Sequence, residues 1–547
     1  MDQRSSALVA RIRVCPLRAA PTPITVKKRV NIPGAKQSSV MRWIPLVIII
    51  LFAGTIIFMH ATDHAGRYFS TDIGGAVIVL TSAIWFVATR SWDWRVKLIA
   101  MAVFALLPII VKYDGSRSGS AAPSFSLRFA KAKDAGLEDL SRLKSLEPAA
   151  ESSWKPVAYH RDFPGFLGPD RTGIIKDFEL EPDWEEHPPE ELWRRRIGLG
   201  WSGFAVKGRY AITQEQREEL EMVTCYDLES GEPIWAHSNT ARFSGGMGSD
   251  GPRATPQIDA ELVYTLGATG IVDCLELATG ELRWTRNVLA EHDSENVRYG
   301  KSGSPLIVDD FVVVAGGKSG PLLAAYHKLT GEPVWKAAAE PAGYAAPVLA
   351  TIAGARQIVS VNRFSATGHE PTTGKELWRY DWPNIYPKPA QPQILEGDRV
   401  LLTASYGMGA HLLQLDRDGD AISVEELWES SRMKTKFSSV CIVDGYAYGL
   451  DEGRFACISL EDGSRQWKDG RYGYGQNFMI GDLIVVQAEQ GEIILVRPNP
   501  AMLEELGRVK ALSGKTWNYP TLAGSYLLVR NDEEAACFRL AVREPKG

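Results

Sequence analysis

The chain lacks a charge excess of either sign. Its 547 residues carry 61 basic and 66 acidic side chains, a net charge of −5. Phosphate backbones therefore exert no whole-chain attraction, and nucleic acid is not an expected partner. Diagnostic cysteine chemistry is missing as well. Cys15, Cys225, Cys274, Cys441, Cys457 and Cys537 are never adjacent, and no C-x-x-C-H occurs, which excludes covalent haem attachment. The nine histidines form no H-E-x-x-H, and no metal site is expected. G-x-S-x-G and G-x-x-x-x-G-K-[ST] are absent, and "YGKSGSP" (299–305) has the wrong spacing for a phosphate loop. No catalytic residue is assigned.

What is present begins with a basic head. Residues 1–42 hold nine Lys or Arg and one acid, Asp2, and read as a disordered segment. Met41 stands directly before the first apolar run, so residues 1–40 read either as an extension upstream of the true start or as a cytoplasmic tail. A membrane anchor is expected over 43–111, with spans at about 43–59, 73–89 and 96–111, the third being the shortest. Its rival reading is a buried or re-entrant helix. Trp92, Trp94 and Tyr113 flank the third run as interfacial anchors. Arg90, Arg95 and Lys97 between the second and third runs, together with the basic head, favour the cytoplasmic side. Three spans then put the rest of the chain in the periplasm, tethered to the inner membrane as a multi-pass protein; two would leave it inside. Residues 112–155, rich in Gly, Ser, Ala and Pro, read as a linker.

From 156 to 542 the texture is all-β: short Val/Ile/Leu/Tyr runs such as "ELVYTLGAT" and "GDLIVVQAEQ", broken by Gly, Asp and Pro. A repeat of the form "CYDLESGEPIW" (225–235) returns as "CLELATGELRW" and "AYHKLTGEPVW". Its Gly and Trp recur as Gly231 and Trp235, Gly280 and Trp284, Gly331 and Trp335, Gly374 and Trp378, and Gly463 and Trp467. Trp428 ends a variant with a longer turn, and Trp193 ends an earlier strand. Successive Trp spacings are 42, 49, 51, 43, 50 and 39, the length of one four-stranded blade. Val509 takes the Trp position in a seventh repeat. Strands in 519–542 lack a terminal Trp strand, which "EELWRRRIG" supplies from the other end, so the two termini complete an eighth blade and close the ring.

This repeat resembles the pyrroloquinoline-quinone (PQQ) propeller repeat, Ala-x-Asp-x-x-Thr-Gly-x-x-x-Trp, over about 156–542. The resemblance implies an all-β, eight-bladed PQQ-like propeller, here preceded by two or three transmembrane helices. It covers two branches. Quinoprotein dehydrogenases bind PQQ and Ca²⁺ and typically set a vicinal disulfide against the cofactor, a pair this chain lacks. BamB-like propellers are non-catalytic and act through protein partners. The reading adopted is a membrane-anchored, non-catalytic BamB-like scaffold meeting protein partners through loops or blade edges, with no cofactor expected. The alternatives are a divergent quinoprotein dehydrogenase binding PQQ and an extracytoplasmic ligand-binding propeller.

Within the repeat, Gly permits positive φ at the turn and Trp fills the gap between blades, called tryptophan docking in the family. The Asp position drifts from Asp227 to Glu276, His327, Glu370 and Ser459, whereas Gly and Trp keep their spacing. A reaction repeated in every blade would not survive that drift; a joint does. Three Gly-rich stretches, "GMGSDGPRATPQID" (246–259), "TASYGMGAH" (403–411) and "RYGYGQNF" (471–478), read either as inter-blade loops or as lining of an axial channel.

Overall fold

The structure, a computed structural model, describes residues 93–120, 123–140, 143, 154–176, 178–245, 248–419 and 421–543. Eight antiparallel four-stranded blades follow one another around an axis, seven of them running from a first strand to a fourth in chain order. Blade 1 begins at Ala205–Lys207 and blade 7 ends at Glu504–Lys510. The eighth sheet joins Thr521–Ala523, Tyr526–Arg530 and Glu534–Arg539 to Glu190–Arg196 from the other end of the chain, with Cys537 opposite Trp193. First strands of neighbouring blades meet around the axis. The second and third strands are the buried ones, as Leu262–Leu266 and Ile271–Glu276 are almost throughout, whereas the fourth strands alternate buried and exposed residues, as the pattern "eiBeie" of Glu376–Asp381 shows.

The repeat's turn forms as its residue types require. Gly231, Gly280, Gly331, Gly374 and Gly463 all sit at φ between +68° and +72°, the left-handed region that Gly alone enters without penalty. Before the first of them, Asp227 Oδ1 accepts from the Glu229 and Ser230 amides at 3.2 and 3.0 Å. The repeat's leading small residue faces the Trp across the strand pair: Cys225 opposes Trp235, Cys274 opposes Trp284 and Cys457 opposes Trp467. That is why Cys can replace Ala there. All five described cysteines are buried and free, and burial drives their thiols up, Cys274 and Cys441 to about 12.

A strap closes one end of the axis. Phe163 bridges to Val206 in blade 1, and Ile174–Ile175 adds a parallel strand beside Gln476–Ile480 in blade 7. Between them Arg171 donates to the Pro305 carbonyl and Gln257 Oε1, both at 2.8 Å, and to the Ser304 carbonyl at 3.3 Å. Glu179–Leu180 pairs with Val542–Arg543, tying the strap to the end of the chain.

Ahead of the propeller a 17-residue helix, Trp94–Ile110, occupies the third expected span. At 1.5 Å per residue it is about 25 Å long, against a hydrocarbon thickness of about 30 Å. No helix among the described residues is long and apolar enough to cross a membrane. The runs 43–59 and 73–89 and the basic head lie outside the described residues. The segment read as a linker is in part folded: Val111–Ser116 pairs with Pro123–Leu127, and the chain beyond lies on the propeller. There Lys133 meets Asp532 at 2.9 Å, and Asp134 Oδ2 accepts from the Glu218 amide at 3.0 Å.

One buried acid between blades 1 and 2 gives stability an unusual pH slope. Glu221 Oε2 accepts from the Ala268 amide at 2.8 Å, and burial, with Asp273 nearby, pushes the carboxyl up to about 7. The folded state therefore keeps a proton that the unfolded chain releases near pH 4.5, so stability falls as pH rises from about 4.5 to 7. Glu221→Gln should remove that slope and stabilise the propeller at pH 8 by about 2–3 kcal/mol. Chemical denaturation at pH 5 and pH 8 checks it, and an unchanged slope would refute it.

Candidate functional site

Opposite the strap the axis widens into a funnel of about 760 Å³. Its walls come mainly from the loops joining the fourth strand of one blade to the first strand of the next, with Lys318, Arg363 and Tyr406 supplied by loops between second and third strands. All three Gly-rich stretches reach it, through Gly248, Arg253 and Thr255, through Tyr406, and through Gln476. Phe166 of the strap and Tyr519 form the floor, with ring centroids 5.3 Å apart.

Aromatic rings dominate the mouth. Trp517 lies 4.8 Å from Trp201 and 4.6 Å from Phe437, and Tyr386 stacks on Tyr406 at 4.5 Å with 10° between planes. The charged groups lining the funnel are Arg253, Arg298, Lys318, Arg363, Lys388 and Lys436; no Asp or Glu lines it among the described residues. Their surroundings differ. Lys318 pairs with Glu295 at 2.5 Å. Arg253 donates to the Gly248, Ser249 and Gly251 carbonyls, and Lys388 to those of Asn362, Arg363 and Trp382. Carbonyl partners satisfy hydrogen bonds without cancelling charge, and burial pushes Lys388 down to about 7. Two carboxylates stand behind the wall: Glu489 accepts from Trp517 Nε1 at 2.8 Å, and Glu452 from Ser405 Oγ at 2.5 Å. The arrangement can hold an anionic or aromatic group.

The residues singled out by the repeat lie elsewhere, between blades. Trp193, Trp235, Trp284, Trp335, Trp428 and Trp467 each donate Nε1–H to a carbonyl of the following blade at 2.8–3.1 Å. The Gly of that next blade lies flat on the indole: a Cβ at Gly231, Gly280, Gly331, Gly374 or Gly463 would come within 2.4–2.9 Å of Trp193, Trp235, Trp284, Trp335 or Trp428. Trp378 departs from the scheme and bonds Gln357 of its own blade, because the long hairpin of blade 5 (Gly409–Asp418 with Ala421–Ser430) replaces the short Gly turn. On that hairpin His411, Glu426 and Glu429 bring ligand-type atoms within 4.8 Å of one another. His411 Nδ1 already meets Tyr380 Oη at 3.1 Å and Glu426 Oε2 at 3.0 Å, so the grouping is a hydrogen-bonded cluster, and it is outside the funnel lining.

The three Gly-rich stretches gave part of the funnel from sequence; the residues missed, such as Trp201, Arg298, Lys388, Lys436 and Trp517, lie in the loops that follow a fourth strand, outside the repeat. A usable signal exists: "GWSGF", "RYGKSGSP", "AGYAAP", "YPKPAQP", "KFSSV" and "WNYP" each place an aromatic residue just before a first strand, five of them with Gly, Ala or Ser and three with a cation.

The family described as outer membrane protein assembly factor BamB matches residues 188–324 and 268–499, which together span 188–499. No curated protein matches the chain. Among solved structures, quinohemoprotein alcohol dehydrogenase from Comamonas testosteroni is similar with a TM-score of 0.53 at 12% identity, over 75% of this chain and 85% of that one. A quinohemoprotein alcohol dehydrogenase from Pseudomonas putida HK5 gives 0.52 at 13%, over 71% and 82%. BamB from Moraxella catarrhalis gives 0.47 at 15%, over 64% and 99%. Identities this low speak to the fold alone.

The quinone of the dehydrogenases sets a test for this funnel. Ca²⁺ takes six to eight oxygen ligands, carboxylates prominent among them. The wall offers cations, the hydroxyls of Thr255, Ser302 and Ser304, and the amides of Asn296, Gln391 and Gln476, but no carboxylate. The described cysteines are dispersed in blade strands, so no vicinal disulfide can form against a ring. These residues do not fit a Ca²⁺-held quinone.

Proposed function

Because the chain belongs to the family of the outer membrane protein assembly factor BamB, we propose that it is a non-catalytic propeller that scaffolds protein partners at the cell envelope. The observation that carries this reading is the funnel wall: six cations and many rings, with no Asp or Glu among the described residues that line it. An inner-membrane tether with the propeller in the periplasm belongs to the same proposal. It draws support from apolar side chains left in the open along the helix and hairpin, with Trp94 at 64%, Ile99 at 65%, Phe125 at 64% and Phe129 at 79% exposure. Such a run of exposed apolar groups marks a lipid or protein contact.

Two measurements test it. Purified protein given PQQ and Ca²⁺ should show neither quinone absorbance nor dye-linked alcohol oxidation; saturable PQQ binding with turnover would restore the dehydrogenase reading. In spheroplasts, protease added outside should cleave the propeller, and crosslinking in membranes should join it to defined protein partners. A protected propeller would reverse the sidedness.

A further inference from the structure

Six of the eight seams between blades carry a bond from a docking indole to a carbonyl of the following blade. The other two are bridged by polar side chains instead. From blade 8, Arg194 Nη2 donates to the Ala511 carbonyl at the end of blade 7 at 2.8 Å. At the seam between blades 4 and 5, Trp378 turns to its own blade, and Tyr380, on the same strand Glu376–Asp381, reaches across to His411 and Glu426. There it meets three ligand-type side chains of blade 5.

These three share one face because of a bulge. His411 stands opposite Glu429 in the pairing of Gly409–Asp418 with Ala421–Ser430, Leu412 opposite Trp428 and Leu413 opposite Glu426, so Leu427 is the extra residue. In an unbroken strand Glu426 and Glu429 would point to opposite faces; the bulge returns both to the face of His411. Their ligand-type atoms lie within 4.8 Å of one another, and His411 Nδ1 is 3.0 Å from Glu426 Oε2. Around a tetrahedral Zn²⁺ held at about 2.0–2.1 Å, neighbouring ligand atoms stand about 3.3 Å apart. The spacing of His411 and Glu426 is already close to that value, and Glu429, exposed on an outer strand, has room to close the rest.

Charge and packing point the same way. Two carboxylates share the site, and among the described residues neither has a Lys or Arg partner; the ion pair present is that of Glu426 with His411. Hydrogen bonds account for Tyr380, His411 and Glu426, whereas the Glu429 carboxylate takes part in none of them. His411 is 6% exposed, and Trp382 packs edge-on against it with ring centroids 5.3 Å apart. The imidazole is therefore oriented in advance, which lowers the ordering cost of binding.

We propose that His411, Glu426 and Glu429 form a Zn²⁺ site at the seam between blades 4 and 5, with Tyr380 of blade 4 hydrogen-bonded to the Glu426 ligand, so that the ion fastens a seam that has no docking indole. One imidazole and two carboxylates suit Zn²⁺, whereas Ca²⁺ and Mg²⁺ take oxygen ligands throughout. Tyr380 is a positioning residue: its hydroxyl orients the carboxylate that the ion meets. His411 and Glu426 lie 15 residues apart across a hairpin, so no short histidine spacing announces the site in the sequence.

The test uses the full chain in detergent, purified without a histidine tag and stripped with a chelator. Calorimetric titration with ZnCl₂ should show one Zn²⁺ bound per chain, and ZnCl₂ should raise the unfolding temperature. Tyr380→Phe should weaken zinc binding about tenfold, and His411→Gln, which removes a ligand, by more. Glu429→Gln separates the proposal from a merely hydrogen-bonded cluster. Exposed and outside those hydrogen bonds, it should unfold at the wild-type temperature without zinc yet lose the zinc-dependent rise. Should His411→Gln fail to fold, Glu429→Gln still decides. The proposal falls if the wild-type chain takes up no stoichiometric Zn²⁺, if Glu429→Gln binds it as tightly as wild type, if binding survives His411→Gln, or if an equal concentration of Ca²⁺ displaces it.

Discussion

Arg530→Met should destabilise the propeller by about 3–5 kcal/mol, the cost of removing one member of a buried ionic cluster. Arg530 is 1% exposed and sits in the closing blade, on the strand Tyr526–Arg530. Its guanidinium reaches into blade 1, donating to Thr213 Oγ1 at 2.7 Å, the Gln214 carbonyl at 2.8 Å and the Gly198 carbonyl at 2.9 Å. Beside it Glu215, fully buried, accepts from Tyr226 Oη at 2.7 Å and pairs with Arg217 at 3.2 Å. This cluster spans the junction where the two ends of the propeller chain meet. Methionine keeps the volume and abandons three acceptors inside the protein, each an unmet hydrogen bond. The pH dependence identifies the cause. Burial acts to raise the Glu215 carboxyl, but Arg217 and Arg530 outweigh it and hold it below its ordinary value. Its stabilisation is therefore present above the unfolded value near 4.5 and is lost as pH falls through the folded one. Without Arg530 that contribution shrinks, so the gap between wild type and variant should narrow below about pH 4. Thermal unfolding of both proteins at pH 7 and pH 3.5 decides it; a gap that is small at pH 7, or constant with pH, contradicts the role given to Arg530.

Blade number and ring closure were legible because they rest on residues that physics holds at fixed spacing. A turn at φ near +70° needs Gly, and an inter-blade gap needs an indole, so Gly231 and Trp235 announce a blade wherever they recur. Even the exceptions could be read: Val509 at a Trp position, and "EELWRRRIG" as a fourth strand seeking its sheet, which it finds beside Glu534–Arg539. The funnel was not legible to the same degree. Its cations come from different loops of unequal length, and what unites Arg253, Arg298, Lys388 and Lys436 is position around an axis, which no linear spacing encodes. Arg530 and Glu215 were hidden for a related reason. They lie over 300 residues apart, and each alone looks like a solvated charge, although together they are core. The hairpin after the helix misled through composition: "GSRSGS" reads as flexible, yet its glycine is what lets the tip lie beside Tyr474.

The docking joint makes the second large prediction, Trp235→Ala, with an expected cost of about 3–5 kcal/mol. Trp235 is 1% exposed, donates Nε1–H to the Leu277 carbonyl at 2.9 Å and lies against Gly280 of the next blade. Truncation opens a cavity between two blades and orphans that carbonyl. The same joint can be attacked from its other side. At Gly280, φ is +71° and a Cβ would meet Trp235 Cε3 at 2.4 Å; at Gly354, φ is +68° and a Cβ would meet nothing within 4 Å. Gly354→Ala thus pays only for left-handed backbone, about 1–2 kcal/mol, whereas Gly280→Ala adds overpacking of about 1–3 kcal/mol. Combining Gly280→Ala with Trp235→Ala should recover the overpacking part, because the indole that the new methyl strikes is gone. The double variant is then more stable than the sum of the single effects predicts, while Gly354→Ala with Trp235→Ala is additive. Equal costs at the two glycines, or additivity at Gly280, would mean that the indole does not pack on the turn and that the conserved spacing of Gly and Trp within each repeat serves the hairpin alone.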